Sequence, residues 1–366
     1  MKIGIIGTRG IPNYYGGFEQ FTEFVAPALA KRGHEMYVYN SSLHPYKETS
    51  WKGVHLISCK DLENRVGTLG QFIYDFNCIV DARKRNFDVI LQLGYTSSSV
   101  WAFLLPKKSA VVTNMDGLEW KRSKYSKPVQ QFLKRAERWA VKSSTRLIAD
   151  SKGIQQYLLQ KYRKHSDFVA YGATLFDNPD QSVPAKYEVT HFAYNLIIAR
   201  MEPENNLEVI LKGYQKSNIT EPLLLIGNYS NTFGAYIKQQ YADERIRFLG
   251  PVYNMEELNS LRHFSHLYFH GHSVGGTNPS LLEAMASNAL IVANDNVFNR
   301  AVLESDAFYF SNEAQIIEIL NGNLQKKDYD SFIERNRNRI RQFYSWEFIT
   351  DLLEKSLKDA LHNRSN

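Results

Sequence analysis

Short apolar runs of strand length alternate with amphipathic helical stretches from one end of this chain to the other, and that alternation restricts the fold more than any other feature. The first run, Ile3-Gly4-Ile5-Ile6, leads to a helix from about Phe18, with Phe21, Val25 and Leu29 on one face and Gly33 as its stop. Pro27 lies inside that helix and is expected to kink or weaken it. Strands follow at 36–40 and 54–58, a helix over 68–84, a strand at 87–93, a helix through 98–105 and a strand at 110–116. A basic helix and a strand at 146–150 complete the first series. Residues 172–190, GATLFDNPDQSVPAKYEVT, are polar, carry two prolines and lack periodicity, which reads as a linker. A second series of strands then starts, at 192–200, 222–227, 246–250, 266–271, 289–295 and 307–310, each followed by a helical pattern. Two helices, about 328–342 and 346–361, close the chain.

Strand–helix alternation with short connections gives parallel sheets covered on both faces. At 366 residues one core is too large, so the expectation is an α/β protein of two doubly wound, Rossmann-like domains with a cleft between them. The 43% hydrophobic and 22% charged residues exclude a disordered chain. Cys59 and Cys78 make neither a disulfide framework nor a metal site, which favours a reducing compartment. The sequence reads without a signal peptide or a membrane-spanning run, so a cytoplasmic protein is expected. The net charge of +6 is concentrated: residues 121–146 hold nine Lys/Arg against one Glu, a balance of +8. Such a stretch serves as a solvated helix face, an anionic membrane contact or a nucleic-acid patch. Tyr125, Phe132 and Trp139 between the cations add weight to the membrane, and no nucleic-acid module is present.

The chemistry-bearing residues fall at the carboxyl ends of the expected strands. The loop GTRGIPNYYGGFEQF, residues 7–21, has Gly4, Gly7 and Gly10 spaced three apart and Asn40 where a dinucleotide site needs an acid. It is neither that fingerprint nor a Walker A loop. Gly16-Gly17, just ahead of the helix, either let backbone amides approach an anion or form a simple turn. Asp116 ends a strand, with Glu119 a helical turn on; the pair could bind sugar hydroxyls, stabilise positive charge or take a proton, or Asp116-Gly117 is an ordinary turn. Arg200 offers a permanently charged fork for phosphate, the alternative being a surface ion pair. In FHGHSVGGTNPSLLEAMA, residues 269–286, Gly275, Gly276, Thr277 and Asn278 could form a nest of N–H donors, and Glu283 could accept from a ribose diol. Pro279 stands near the first turn of the helix there. His270 and His272 lack a third metal ligand and suit hydrogen bonding to a phosphate or sugar better.

Together these stretches resemble the retaining family-4 glycosyltransferases, which have the two-domain GT-B fold. The glycine loop, IADSKGIQQYL (148–158), VAYGA (169–173), IIARMEPENN (197–206) and NPSLLEAMA (278–286) occur in family order over nearly the whole chain. GTRGIPNYYGGFE with HSVGGTNPSLLEAM is similar to a bacterial rhamnosyltransferase-like branch that builds surface polysaccharides. The resemblance implies domains at 1–178, completed by about 344–366, for the acceptor and at 179–343 for a nucleotide-sugar donor. It implies catalytic roles for Asp116, Arg200 and Glu283. Donor contacts are implied at Gly16, Gly17, Arg200, Asn205, His272, Gly275, Gly276, Thr277, Asn278, Ser280 and Glu283, and acceptor contacts at Asp116 and Glu119. Two departures stand out: Gly275 replaces a usual glutamate, and Asn205 replaces the lysine usually paired with the arginine. His272 or Arg9 is expected to compensate.

The reading that follows is a retaining hexosyltransferase moving L-rhamnose from dTDP-rhamnose to a saccharide, lipid-linked at the cytoplasmic leaflet, with no metal or cofactor. UDP- or GDP-sugar donors, a nucleotide-sugar epimerase and a non-catalytic nucleotide-sugar binder are the alternatives. A nicotinamide dehydrogenase is opposed by the failed fingerprint.

Overall fold

The computed structural model describes residues 1–115, 117–122 and 125–365, with side chains up to 363. The chain divides into two compact units, Met1–Tyr171 with Trp346–Asn366, and Gly172–Ser345. Each is built on one sheet with helices between its strands.

The first sheet has eight strands: β1 Lys2–Ile6, β2 Glu35–Ser41, β3 Ser50–Trp51, β4 Val54–Cys59, β5 Val89–Leu93, β6 Ala110–Asn114, β7 Arg146–Ala149 and β8 Ser166–Phe168. They lie in the order β3-β4-β2-β1-β5-β6-β7-β8, parallel except for β3 against β4. Every residue of β5 and β6 is buried, as strands covered on both faces must be. β1 sets the register, with Ile3 opposite Met36 on one side and Val89 on the other. The helix Gly17–Lys31 continues through Pro27, which is buried within it. The final helix, Trp346–Ser365, packs on this first unit: Trp346 stacks on Phe24 with centroids 4.3 Å apart, and Ile349, Leu353 and Leu357 are buried.

The second sheet has six strands: β9 Asn195–Ile198, β10 Leu223–Ile226, β11 Ile246–Gly250, β12 Tyr268–His270, β13 Ile291–Asn294 and β14 Phe308–Phe310. All pairs are parallel, in the order β11-β10-β9-β12-β13-β14. This is the doubly wound order in which the winding reverses between the first strand and the fourth. Ile197, Leu223, Leu225, Phe269 and Val292 form the core with Leu207, Ile210 and Ile316 from the covering helices.

Three local expectations change. Residues 98–105 form a 3-10 helix, Ser98–Leu104, rather than an α-helix. Pro106 forces Leu105 into extended backbone (φ −55°, ψ 143°), so the turn cannot lengthen. The stretch 172–190 contains a short helix, Val183–Lys186. The polar strand β8 and the two-residue strand β3 carry no apolar alternation and were invisible to periodicity.

Candidate functional site

In open parallel sheets ligands bind beyond the carboxyl ends of the strands where the winding reverses. In the second unit that point lies between β9 and β12, so it is flanked by residues 199–206 and 271–278. The backbone after β9 folds around one carbonyl: the oxygen of Arg200 accepts from Glu202 N at 2.9 Å and Asn205 Nδ2 at 2.7 Å. The side chain of Asn205 is therefore committed to the turn that presents Arg200, and is itself buried. The Arg200 guanidinium is exposed and makes no hydrogen bond or ion pair among the described residues, so the surface-pair alternative is not what the structure shows.

The two loops are joined directly. Ser273 donates through its backbone N and its Oγ to Glu204 O, at 3.0 and 2.8 Å. A Cβ on Gly271 would lie 2.0 Å from Asn205 O, so only glycine allows this approach. Asn296 and Asn299, on the loop and helix after β13, donate to the carbonyl of His272 at 3.0 and 3.1 Å and fix the start of the glycine-rich segment. Gly275 has φ +123°, and the space where its side chain would project is open. Thr277 is buried. Asn278 caps the helix Pro279–Ala286, its Oδ1 accepting from Ser280 N at 2.9 Å. Ser280 Oγ bonds Arg262 at 3.2 Å and the Tyr268 hydroxyl at 2.9 Å. Asn278 and Ser280 thus face their own fold with their side chains.

Glu283 is held by Arg262, whose Nη2 donates to its Oε2 at 2.7 Å. Arg262 is 1% exposed, lies on the helix Met255–Phe264, and also donates to Asn259 Oδ1 at 2.6 Å. Sequence reasoning passed over this arginine, since nothing in MEELNSLRHF marks it as buried. His270 and His272 stack with ring centroids 4.4 Å apart and planes 13° from parallel. His270 is fully buried, with no hydrogen bond on either nitrogen among the described residues. Burial, with His272 and Arg262 nearby, drives its pKa well below the ordinary histidine value, so it stays neutral and serves as a platform under His272. The expectation that His270 bonds a phosphate or sugar gives way on this point.

In the first unit the winding reverses between β1 and β5, flanked by residues 7–16 and 94–97. Gly7 has φ +87°, and a Cβ there would sit 2.1 Å from Leu93 O, so the crossing of the two loops requires glycine. Glu19 ties the loop to its helix, accepting from Thr8 Oγ1 at 3.0 Å and Arg9 N at 2.6 Å. Asn40 takes both polar groups of Ile11, donating to its O at 2.8 Å and accepting from its N at 3.2 Å. The position where a dinucleotide fold keeps its acid is thus a loop clamp. Gly16 stands in extended backbone just ahead of the helix, and a Cβ on Gly17 would come 3.1 Å from the Tyr171 hydroxyl. Arg9 is engaged by Glu63 at 2.8 Å and Asp61 at 3.7 Å within its own unit, so it is not a spare cation. Asp116 lies outside the described residues. Glu119 begins a 3-10 turn, Glu119–Lys121, and pairs with Arg122 at 2.7 Å. No group of three His, Cys, Asp or Glu among the described residues is arranged to hold a metal ion.

A family profile described as "Domain of unknown function (DUF1972)" matches residues 1–174. No curated protein matches the chain in sequence. Among solved structures, sucrose-phosphate synthase from Thermosynechococcus elongatus superposes with a TM-score of 0.80 at 14% identity, covering 98% of both chains. The Anabaena protein HepE in complex with UDP-glucose gives 0.77 at 14% identity, covering 98% of this chain and 100% of its own. The α,α-trehalose 6-phosphate synthase of Burkholderia multivorans gives 0.73 at 11% identity, covering 100% and 98%. The fold is that of the GT-B glycosyltransferases. At these identities the likeness is one of fold, and chemistry must be argued from the residues. At its switch point the second unit brings together a guanidinium with no partner among the described residues, a glycine with open space beside it ahead of a helix N-terminus, and an anchored carboxylate.

Proposed function

We propose that this protein is a retaining glycosyltransferase that takes its sugar from a nucleoside diphosphate donor held by the second unit. The observation carrying the reading is Arg200, an unpaired guanidinium raised at the β9/β12 switch point by a turn built for that purpose. The solved structure of HepE with UDP-glucose, on the same fold, supports a nucleotide sugar as the ligand class.

In this mechanism the bond between the anomeric carbon and the diphosphate oxygen breaks, and the acceptor hydroxyl bonds to that carbon on the same face. The hydroxyl proton passes to the departing phosphate, so the products are glycoside and nucleoside diphosphate. Charge growing on the diphosphate is met by Arg200, by the amides of Gly275, Gly276, Thr277 and Asn278 and by the end of the helix Pro279–Ala286. Glu283, aimed by Arg262, accepts from the donor ribose. Asn205 contributes by fixing Arg200, and with Arg9 engaged elsewhere His272 is left to compensate for the carboxylate absent at Gly275. The motif likeness gives Gly16 and Gly17 to the donor, and Asp116 and Glu119 to the acceptor. L-Rhamnose from dTDP-rhamnose and a lipid-linked saccharide acceptor for surface polysaccharide are the substrates that the rhamnosyltransferase-like motifs favour.

The test is incubation with dTDP-rhamnose, UDP-glucose or GDP-mannose and a panel of saccharide acceptors, with products read by mass spectrometry. Glycosylated acceptor and free nucleoside diphosphate are expected from one donor. Conversion of the donor sugar without acceptor would make the protein an epimerase, and tight donor binding with no turnover would make it a sensor.

A further inference from the structure

The donor chemistry leaves one face of the first unit unexplained. The helix Leu69–Ala82 turns Leu69, Ile73 and Phe76, spaced i, i+4, i+7, toward solvent, Leu69 being 67% exposed. The 3-10 helix Ser98–Leu104 packs against that helix and against the basic helix Lys127–Ser143, and adds Phe103 at 74% exposed. The basic helix contributes Trp139 at 41%. Ring contacts form two strings, Phe76 to Trp101 at 5.0 Å with Trp101 to Phe103 at 6.4 Å, and Phe72 to Phe132 at 5.9 Å with Phe132 to Trp139 at 6.4 Å, which meet where Trp101 reaches the backbone of Phe72. The indole N–H of Trp101 donates to Phe72 O at 2.8 Å and locks the turn to the first helix. Contiguous exposed aromatic surface of this kind marks a contact site.

The charges of the basic helix are sorted around that surface. Arg135 stands one turn before Trp139 and Lys142 one turn after it, on the same side, with Arg138 adjacent. None of these three cations has a hydrogen bond or ion pair among the described residues. Other cations of the 121–146 stretch have partners: Arg122 pairs with Glu119, Arg146 with Asp167, and Lys121 and Lys134 lie over the Trp120 ring. The single acid, Glu137, points inward, 1% exposed, accepting from Trp120, Tyr157, Lys161 and Tyr162. The outward face thus carries cations and apolar side chains with no acid of its helix among them.

We propose that this face docks the protein on an anionic bilayer, with Leu69, Ile73, Phe76, Phe103 and Trp139 entering the acyl boundary and Arg135, Arg138 and Lys142 meeting headgroup phosphates. A lipid surface matches both halves of the pattern, whereas a second copy would bring these cations toward their own kind. No helix among the described residues is long and apolar enough to cross a membrane, so the attachment is peripheral. This inference does not rest on the transferase reading.

The test is flotation with phosphatidylcholine vesicles made with and without phosphatidylglycerol. Wild type should float with the anionic vesicles and only weakly with neutral ones, and a blue shift of its emission should be smaller in Trp139→Phe, where Trp101 is left to report. The double variant Leu69→Ser/Phe103→Ser and the triple variant Arg135→Glu/Arg138→Glu/Lys142→Glu should each lower the bound fraction at least about tenfold. Both variants should keep the wild-type melting temperature and donor-induced stabilisation, which reports separately on the second unit. The proposal is overturned if wild type ignores anionic vesicles, binds neutral ones equally well, or binds as before in either variant. Self-association abolished by the same substitutions would overturn it too, giving the face to a second copy.

Discussion

The carboxylate of Glu283 is oriented by a guanidinium 21 residues earlier in the chain, and both partners lie on helices of the second unit. Arg262 is deeply buried, so removing its partner leaves a cation without compensation, and removing Arg262 leaves Glu283 unaimed. Glu283→Ala, which strands the buried cation, should cost about 3–5 kcal/mol in denaturant unfolding. The double variant with Arg262→Ala should cost less than the sum of the single changes, because the two share one interaction. Arg200 is the opposite case, exposed and unpaired, so its loss touches function alone. Arg200→Ala should lower kcat/KM for transfer by about 10²–10³-fold, the scale of removing a group that meets developing negative charge, with unchanged melting temperature. Near wild-type turnover in that variant would remove Arg200 from the diphosphate site.

At the scale of elements, the helix Pro279–Ala286 depends on its cap. Asn278→Ala should destabilise the second unit by about 1 kcal/mol, measured by urea unfolding, because its side chain satisfies the Ser280 N–H. The final helix is fastened to the first unit by an acid: Glu354 accepts from Lys358, from Arg32 at 2.8 Å and from His34 at 3.0 Å. The Lys358 bond is the largest influence on its carboxyl; burial opposes it, and the bonds to Arg32 and His34 add to it, so that the pKa falls from 4.5 to about 2. A folded pKa below the unfolded one gives stability that is complete above about pH 4.5 and lost as pH falls toward 2. Glu354→Gln should therefore flatten the acid limb of unfolding between those values, followed by near-UV circular dichroism. An unchanged acid limb would show that the ion cluster does not hold the helix.

Strands such as Val89–Leu93 and Ile291–Asn294 were legible in the sequence because burial on both faces writes itself as a nearly continuous apolar run, broken in the first only by Gln92 and ended in the second by Asn294. Ser166–Phe168 was not, since a polar edge strand is specified by its neighbour β7 rather than by its own residues. Site legibility divides in the same way. Arg200 and the glycine-rich segment stand at strand ends, where position alone suggests function, and the structure brings them to one switch point. Arg262, Asn296 and Asn299 act through contacts distant in sequence and leave no local trace.

For the whole molecule, one device is used twice: a reversal of strand order sets two loops side by side at the carboxyl ends of each sheet. In the first unit the loops are closed on themselves by Asn40, Glu19 and the Gly7 crossing, and Arg9 is bound by acids. In the second unit the Arg200 guanidinium has no hydrogen bond or ion pair among the described residues, and the space beside Gly275 is open. That asymmetry is why the donor is assigned to the second unit, and it makes donor binding the decisive quantity. The measurement is the thermal shift of wild type and Arg200→Ala with dTDP-, UDP- and GDP-sugars, since a ligand of the folded state raises the melting temperature. The account predicts that one donor class stabilises wild type and that the stabilisation is largely lost in Arg200→Ala. Absence of any shift with every donor, or an equal shift in the variant, would contradict it.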